Sequence, residues 1–180
     1  MGHVTGGPAD AVVFTDGSTD EDGGRPHVGG ALFAWWLESP IGFSAEVPMS
    51  LLRRWIPRKS QIALIELLAV VAALERYGPT LAGKRVTFLV DSECALDALI
   101  KGYSKSEDCC ELVSTFWNMT AEYQVVAYLD RVSTDANVSD GLSRRDNEPY
   151  REAGWEVHDI DLEGMFGRDT VHDRFRALRD

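Results

Sequence analysis

Long apolar runs are missing from this sequence. The longest, residues 67–74, falls well short of the roughly 20 residues that a membrane-spanning helix needs, and no hydrophobic signal segment lies near the N-terminus. Gly6 also stands where N-myristoylation requires Ser or Thr. No membrane partner is expected, and neither is secretion; the expected location is cytoplasmic or nuclear. Cysteine is scarce as well. Cys94, Cys109 and Cys110 are odd in number and form no Cys-x-x-Cys, which excludes a disulfide framework and a zinc site and suits a reducing compartment. Positive charge is in short supply, with 18 Lys and Arg against 29 Asp and Glu and a formal net charge of −11. Such a chain does not bind nucleic acid by bulk attraction alone, so a polyanionic partner would need a local basic patch or bound cations. The 180 residues suffice for one ordinary domain and exclude a two-lobed enzyme.

What is present reads as an α/β domain. Residues 1–10 are a Gly-rich lead-in expected to be flexible. Ala11-Val12-Val13-Phe14-Thr15 reads as a buried strand running into Asp16-Gly17-Ser18, with a polar loop over residues 19–26. Residues 28–37 and 41–47 read as second and third strands of an antiparallel meander. The period then changes: residues 61–76 form a largely buried helix, ending before Gly78-Pro79. Val86-Thr87-Phe88-Leu89-Val90 is a short apolar run of the kind buried in parallel sheets. A helix over residues 92–100 stops at Gly102, another spans about 109–123, residues 125–129 are read as a further buried strand, and 138–145 open a last helix. Trp35, Trp36, Phe116 and Trp117 are read as core. The domain is expected to occupy residues 11–145. Residues 146–180 are left as an extension of unknown role, in which Val171, Phe175 and Leu178 suggest a short amphipathic helix.

Glu66 is the most informative residue, because apolar neighbours flank it on a helix expected to face a sheet. Burying an unpaired carboxylate costs several kcal/mol or more, so it must be neutralised, paired with an Arg or bound to a metal. Three further acids sit where elements end: Asp16 after the first strand, Asp91 after the fourth, Asp140 in the first turn of the last core helix. Singly, Asp16 could serve a turn, Asp91 a helix cap and Asp140 a capping box. Together they read differently. If the first and fourth strands are parallel neighbours, Asp16 and Asp91 lie about one strand spacing apart, roughly 4.8 Å, at the edge where open α/β sheets place ligands. Carboxylates that close cannot all ionise without a cation, and hard oxygen ligands select Mg²⁺ or Mn²⁺ over zinc.

Four segments carry a resemblance: Phe14-Thr15-Asp16-Gly17-Ser18, Ile65-Glu66-Leu67-Leu68-Ala69-Val70, Phe88-Leu89-Val90-Asp91-Ser92, and Ala136-Asn137-Val138-Ser139-Asp140-Gly141-Leu142-Ser143-Arg144. In order and spacing they resemble the ribonuclease H domain of retroelement reverse transcriptases, most of all those of the Ty3/gypsy and DIRS kind. The resemblance implies a ribonuclease H-like fold, a mixed five-stranded sheet with three antiparallel then two parallel strands and helices on both faces. It implies a catalytic and metal-binding set Asp16, Glu66, Asp91 and Asp140, two Mg²⁺ ions for which Mn²⁺ may substitute, and cleavage of the RNA strand of an RNA/DNA hybrid. A reverse transcriptase polymerase domain in the same polyprotein is the implied partner.

One departure matters. Cellular members carry a His in the loop before the last core helix, and here residues 131–136 hold none; the resemblance then implies either slower turnover or partial substitution by Arg131 through a phosphate contact. Arg53, Arg54, Arg58 and Lys59, beside Trp55 and free of nearby acids, are the candidate contacts for the nucleic-acid backbone. Lys101, Tyr103 and Lys105 could form a second contact, and Asn137 is counted among the substrate-binding candidates. Proofreading exonucleases are set aside because Asp16-Gly17-Ser18 lacks their second acid, integrases because Asp140 is not Glu, and actin-like kinases because the chain is too short. The remaining alternative is a catalytically degenerate module kept as a connector or nucleic-acid-binding platform.

Overall fold

A computed structural model describes residues 8–19 and 24–165. The suggested helix around Val171, Phe175 and Leu178, most of the lead-in and part of the loop over 19–26 lie outside the described residues. The elements are β1 (Ala11–Ser18), β2 (His27–Ala34), β3 (Ile41–Glu46), the short α1 (Met49–Leu52), α2 (Ile62–Leu81), β4 (Arg85–Val90), α3 (Glu93–Lys101), α4 (Glu107–Tyr123), β5 (Val126–Arg131), a 3₁₀ turn (Thr134–Ala136), α5 (Asp140–Ser143), α6 (Glu148–Glu152), β6 (Glu156–Asp159) and α7 (Leu162–Met165).

The strands form one sheet in the order β5-β4-β1-β2-β3-β6. β1–β2 and β2–β3 pair antiparallel, and β1–β4 and β4–β5 pair parallel. That is the expected meander followed by two parallel strands. The sheet has six strands rather than five, because β6 pairs parallel with β3 from Ile41↔Glu156 to Ser44↔Asp159. β6 belongs to the segment read as an extension. Its four residues, Glu-Val-His-Asp, are half-buried or exposed and carry no apolar alternation by which a strand is recognised.

Side chains alternate across a strand, which sorts β1 into two sets. Val13, Thr15 and Gly17 face α2, whereas Phe14, Asp16 and Ser18 face the other side, where Phe14 meets Phe33 and Phe33 meets Trp155 edge-on at 5.7 and 5.3 Å. α2 is apolar nearly all round and is buried between the sheet and α4. It runs past the expected stop, taking Gly78 and Pro79 into its last turns, where a proline removes one hydrogen bond without a following turn to disrupt. α3 packs against β4, β5 and α2, while α5 lies across β1, β2 and β3 on the opposite face.

Two other expectations change. β5 is not buried: Val126 and Tyr128 are 50% and 42% exposed, because β5 ends the sheet and has a neighbour on one side only. Trp35 is not core but 75% exposed, since β2 ends at Ala34 and the chain turns there. Trp36 and Trp117 are half-buried against the core, and Phe116 is fully buried. No helix among the described residues is long and apolar enough to cross a membrane.

Candidate active site

The site begins where a parallel ladder ends. β1 and β4 pair as far as Thr15↔Val90; Asp91 leaves the sheet there, whereas Asp16, expected after the first strand, lies inside β1, which runs on to Ser18 paired with β2 alone. The helix that follows β4 is capped by Ser92, whose hydroxyl accepts from the Ala95 amide at 3.2 Å. Asp91 is thus spared the capping role that its position suggested. Glu66 arrives from α2, and Gly17 makes that approach possible. A Cβ at Gly17 would stand 2.8 Å from Ile65 Cγ2 and 3.2 Å from the Glu66 nitrogen, closer than α2 could tolerate without shifting.

One carboxylate oxygen from each of Asp16, Glu66 and Asp91 lies within 4.8 Å of the other two. Asp16 and Glu66 are only 4% exposed. Glu66 Oε2 is buried with no hydrogen-bond partner, and no Arg or Lys among the described residues pairs with Glu66. The electrostatic result follows from burial and like charge. Burial first, then the charges of Asp16 and Asp91, push the Glu66 carboxyl up to about 9. Burial likewise raises Asp16 to about 6; a hydrogen bond from Ser143 opposes the rise, and the charges of Asp91 and Asp140 add to it.

Asp140 stands on α5, half-buried, near enough for its charge and a hydrogen bond to act on Asp16 but outside the three-way cluster. Arg144 Nε donates to Asp140 Oδ1 at 3.3 Å. A helix of four residues cannot hold such a position by its own hydrogen bonds; polar contacts to the sheet hold it. Ser143 Oγ donates to Asp16 Oδ2 at 2.7 Å and Ser18 Oγ to Ser143 O at 2.6 Å. Ser44 Oγ lies 2.6 Å from Leu142 O and 2.8 Å from Asn147 Oδ1. Gly29, opposite Asp16 in the ladder, leaves room for the α5 backbone, which a Cβ there would meet at 2.5 Å. Sequence reasoning missed Ser143, Ser18, Ser44 and Gly29. The signal for Ser143 lay inside the Asn137–Arg144 motif, three residues after Asp140 and so on the same helical face.

The candidate substrate contacts fare differently from one another. Arg53, Arg54 and Lys59 are exposed between α1 and α2, while Trp55 is buried in the core. Arg58 is engaged within the protein: its guanidinium donates two hydrogen bonds to Asp108 of α4, at 2.6 and 2.7 Å, and holds that carboxyl well below the usual range. Arg131 pairs with Glu93. Asn137 is buried, donating to Thr15 O at 3.0 Å and accepting from the Ser139 amide and hydroxyl at 3.1 and 2.6 Å. Its carboxamide therefore pins the segment leading into α5 onto β1.

The donor set fits a hard divalent cation. All three clustered ligand atoms are carboxylate oxygens, and the orphaned Glu66 Oε2 is a buried polar atom that a cation would satisfy.

No family model and no curated protein matches the sequence. Solved structures do match. The N-terminal RNase H domain of Rv2228c from Mycobacterium tuberculosis, solved as a fusion with maltose-binding protein, superposes with a TM-score of 0.61 at 13% identity, covering 82% of this chain and 99% of that one. RNase H1 from the halophilic archaeon Halobacterium salinarum gives 0.57 at 16% identity, covering 77% and 98%. LC11-RNase H1, isolated from compost by a metagenomic approach and solved in complex with an RNA/DNA hybrid, gives 0.57 at 16% identity, covering 73% and 92%. At these identities the likeness establishes the fold, which is ribonuclease H-like.

Proposed function

We propose that this chain is a divalent-metal-dependent endoribonuclease that cleaves the RNA strand of RNA/DNA hybrids. One observation carries the reading: two nearly buried carboxylates and a third beside them, with one oxygen left unpartnered and no Arg or Lys among the described residues paired with Glu66. The ribonuclease H-like fold and the order of the four acidic motifs support the same conclusion. The motifs also support the narrower proposal that the domain works in a retroelement reverse transcriptase, beside a polymerase domain in the same polyprotein.

Asp16, Glu66 and Asp91 would hold Mg²⁺ or Mn²⁺, with Asp140 completing the set. Two such ions, when bound, supply activation of water for attack on a phosphodiester and stabilisation of the departing 3′ oxygen. The chain's own residues do the rest. Ser143 donates to one oxygen of Asp16 and so fixes the orientation of that carboxylate beside Glu66 and Asp91. Gly17, lacking a side chain, lets α2 bring Glu66 up against β1. The sheet and α2 exclude water from Asp16 and Glu66, which strengthens every charge interaction there.

A labelled RNA/DNA hybrid incubated with Mg²⁺, Mn²⁺ or EDTA tests the proposal. Cleavage of the RNA strand is expected with either metal, with none in EDTA and a loss of at least 100-fold in Asp16→Asn and Glu66→Gln, on the order of the cost of removing a principal charge-stabilising group. Undiminished cleavage by both variants rejects the assignment; hybrid binding without any cutting leaves a connector module.

A further inference from the structure

Asp16 and Ser18 lie on the same face of β1, two residues apart. Ser18 pairs with His27 and His27 with Glu46, so the three side chains form a row beside the acid cluster on the face that α5 covers. Around Glu46 the structure gathers basic groups. Arg25 Nη1 lies 2.5 Å from Glu46 Oε1, while His27 Nε2 and Arg145 Nη1 lie 3.9 and 4.0 Å from Oε2. Two guanidiniums thus share one carboxylate, leaving local positive charge on a chain whose net charge is −11.

Arg145 is the unusual member. α5 ends in a Schellman motif, with Arg145 N donating to Leu142 O at 3.2 Å and Asp146 N to Gly141 O at 2.9 Å. That motif requires a left-handed residue, and Arg145 adopts φ 61°, where Gly or Asn is far better tolerated. The side chain gains little in exchange. Its ion-pair partner among the described residues is Glu46 at 4.0 Å, and it remains more than half exposed. A residue that breaks a local rule without a compensating contact is a candidate for a role outside the fold.

We infer that Arg145, with Arg25, is a contact for the phosphodiester backbone of the nucleic-acid strand lying across the acid cluster, an inference that rests on the function proposed above. From Asp16 to Glu46 is two residues along a strand and two strands across, on the order of 12 Å with ideal spacings. That equals about three to four nucleotides of one strand at 3.4 Å each. A strand with its scissile phosphate at Asp16 therefore brings a neighbouring phosphate to Arg25 and Arg145. The phosphate would compete with Glu46 for both guanidiniums, which are the side chains best shaped to meet it. This contact uses other residues than the exposed Arg53, Arg54 and Lys59.

The test is binding of a fluorescent RNA/DNA hybrid in EDTA, so that nothing is cut, at several salt concentrations, alongside thermal melting. Arg145→Gly should weaken binding about five- to tenfold and lower the slope of log affinity against log salt by about 1, while its melting temperature stays level or rises because the strain is relieved. Arg25→Gln should weaken binding similarly. If wild type binds and Arg145→Gly binds equally with the same slope, the contact is disproved and the proposed function stands. A lower melting temperature in Arg145→Gly, with weakened binding, makes the residue a structural cap and also overturns the inference. If folded wild type binds no hybrid in EDTA at any salt, this inference falls, while the proposed function is decided separately by cleavage with Mg²⁺ or Mn²⁺.

Discussion

A methyl group placed at Gly29 lands on the backbone of the helix that carries Asp140. The added Cβ would lie 2.5 Å from Ser143 N, 2.6 Å from Leu142 C and 2.8 Å from Leu142 Cβ, where ordinary contact begins at 3.4 Å. Neither side can yield by rotating a bond, since one is a central strand and the other is helix backbone. α5 must therefore retreat by about 3.4 − 2.5 = 0.9 Å. A retreat of that size stretches the 2.7 Å bond from Ser143 to Asp16 to as much as 3.6 Å, outside hydrogen-bond range. Overpacking of this kind costs roughly 1–3 kcal/mol, a few degrees of melting temperature. The catalytic effect should be larger, because a displacement near 1 Å in a reacting constellation costs on the order of 100-fold. Gly29→Ala is thus expected to stay folded and to cleave the hybrid about 10- to 100-fold more slowly at saturation. Gly42→Ala is the comparison: its Cβ meets Leu142 through the mobile ends Cδ1 and Cδ2 at 3.0 and 3.3 Å, so activity should stay within about threefold by the same reasoning. Wild-type turnover in Gly29→Ala, or equal losses in both variants, would refute the argument that α5 is seated against the sheet with no room to spare.

Three further outcomes follow from the same geometry. Glu66 and Asp16 titrate near 9 and 6 in the fold against 4.5 and 3.8 as ordinary carboxyls, so the folded chain holds protons that the unfolded chain has released. In EDTA its stability should fall as pH rises from about 4 to 9. The melting-temperature gain from Mg²⁺ or Mn²⁺ should therefore grow between pH 5 and pH 8, and a gain independent of pH counts against the cluster as the binding site. Gly17→Ala should push α2 away from β1 and weaken Mn²⁺ affinity about tenfold or more, measured by calorimetry; unchanged affinity means that Glu66 does not depend on that approach. Arg58→Ala should cost roughly 1–3 kcal/mol in urea unfolding, because it strips a nearly buried Asp108 of its charged partner, yet leave hybrid affinity close to wild type. A selective loss of affinity would restore Arg58 to the substrate surface.

Much of this was legible from residue order, and the exceptions have physical causes. β1, β4 and α2 announce themselves because buried elements need continuous apolar sequence. Glu66 stands out because charge interrupts an apolar segment where nothing in the local pattern calls for it, whereas Asp16 and Asp91, each explicable alone as a turn or a cap, stand out only together with it. β6 escaped because a strand that adds itself to an edge by backbone pairing needs no apolar signature. β5 was misread because an edge strand and a central one can share the composition Val-Val-Ala-Tyr-Leu, and only the neighbours distinguish them. Arg58 looked free because its partner, Asp108, lies 50 residues away in the chain. The last helix was overextended because no Gly or Pro directly follows Ser143 to mark its end, whereas α5 stops at Ser143 and hands the chain to a left-handed Arg145.

The way α5 is attached has a consequence for how this protein fails. Its buried side chains are only Leu142 and Ser143, and hydroxyl and carboxamide groups secure the rest, so it belongs to the least cooperative layer of the molecule. Mild heat or denaturant should release it while the strands remain zipped, carrying Asp140 away from three acids that stay in place. Amides of residues 140–145 should then exchange hydrogen with solvent faster than those of β1, and inactivation should precede melting, a reversible loss of competence in a molecule that spectroscopy still registers as native.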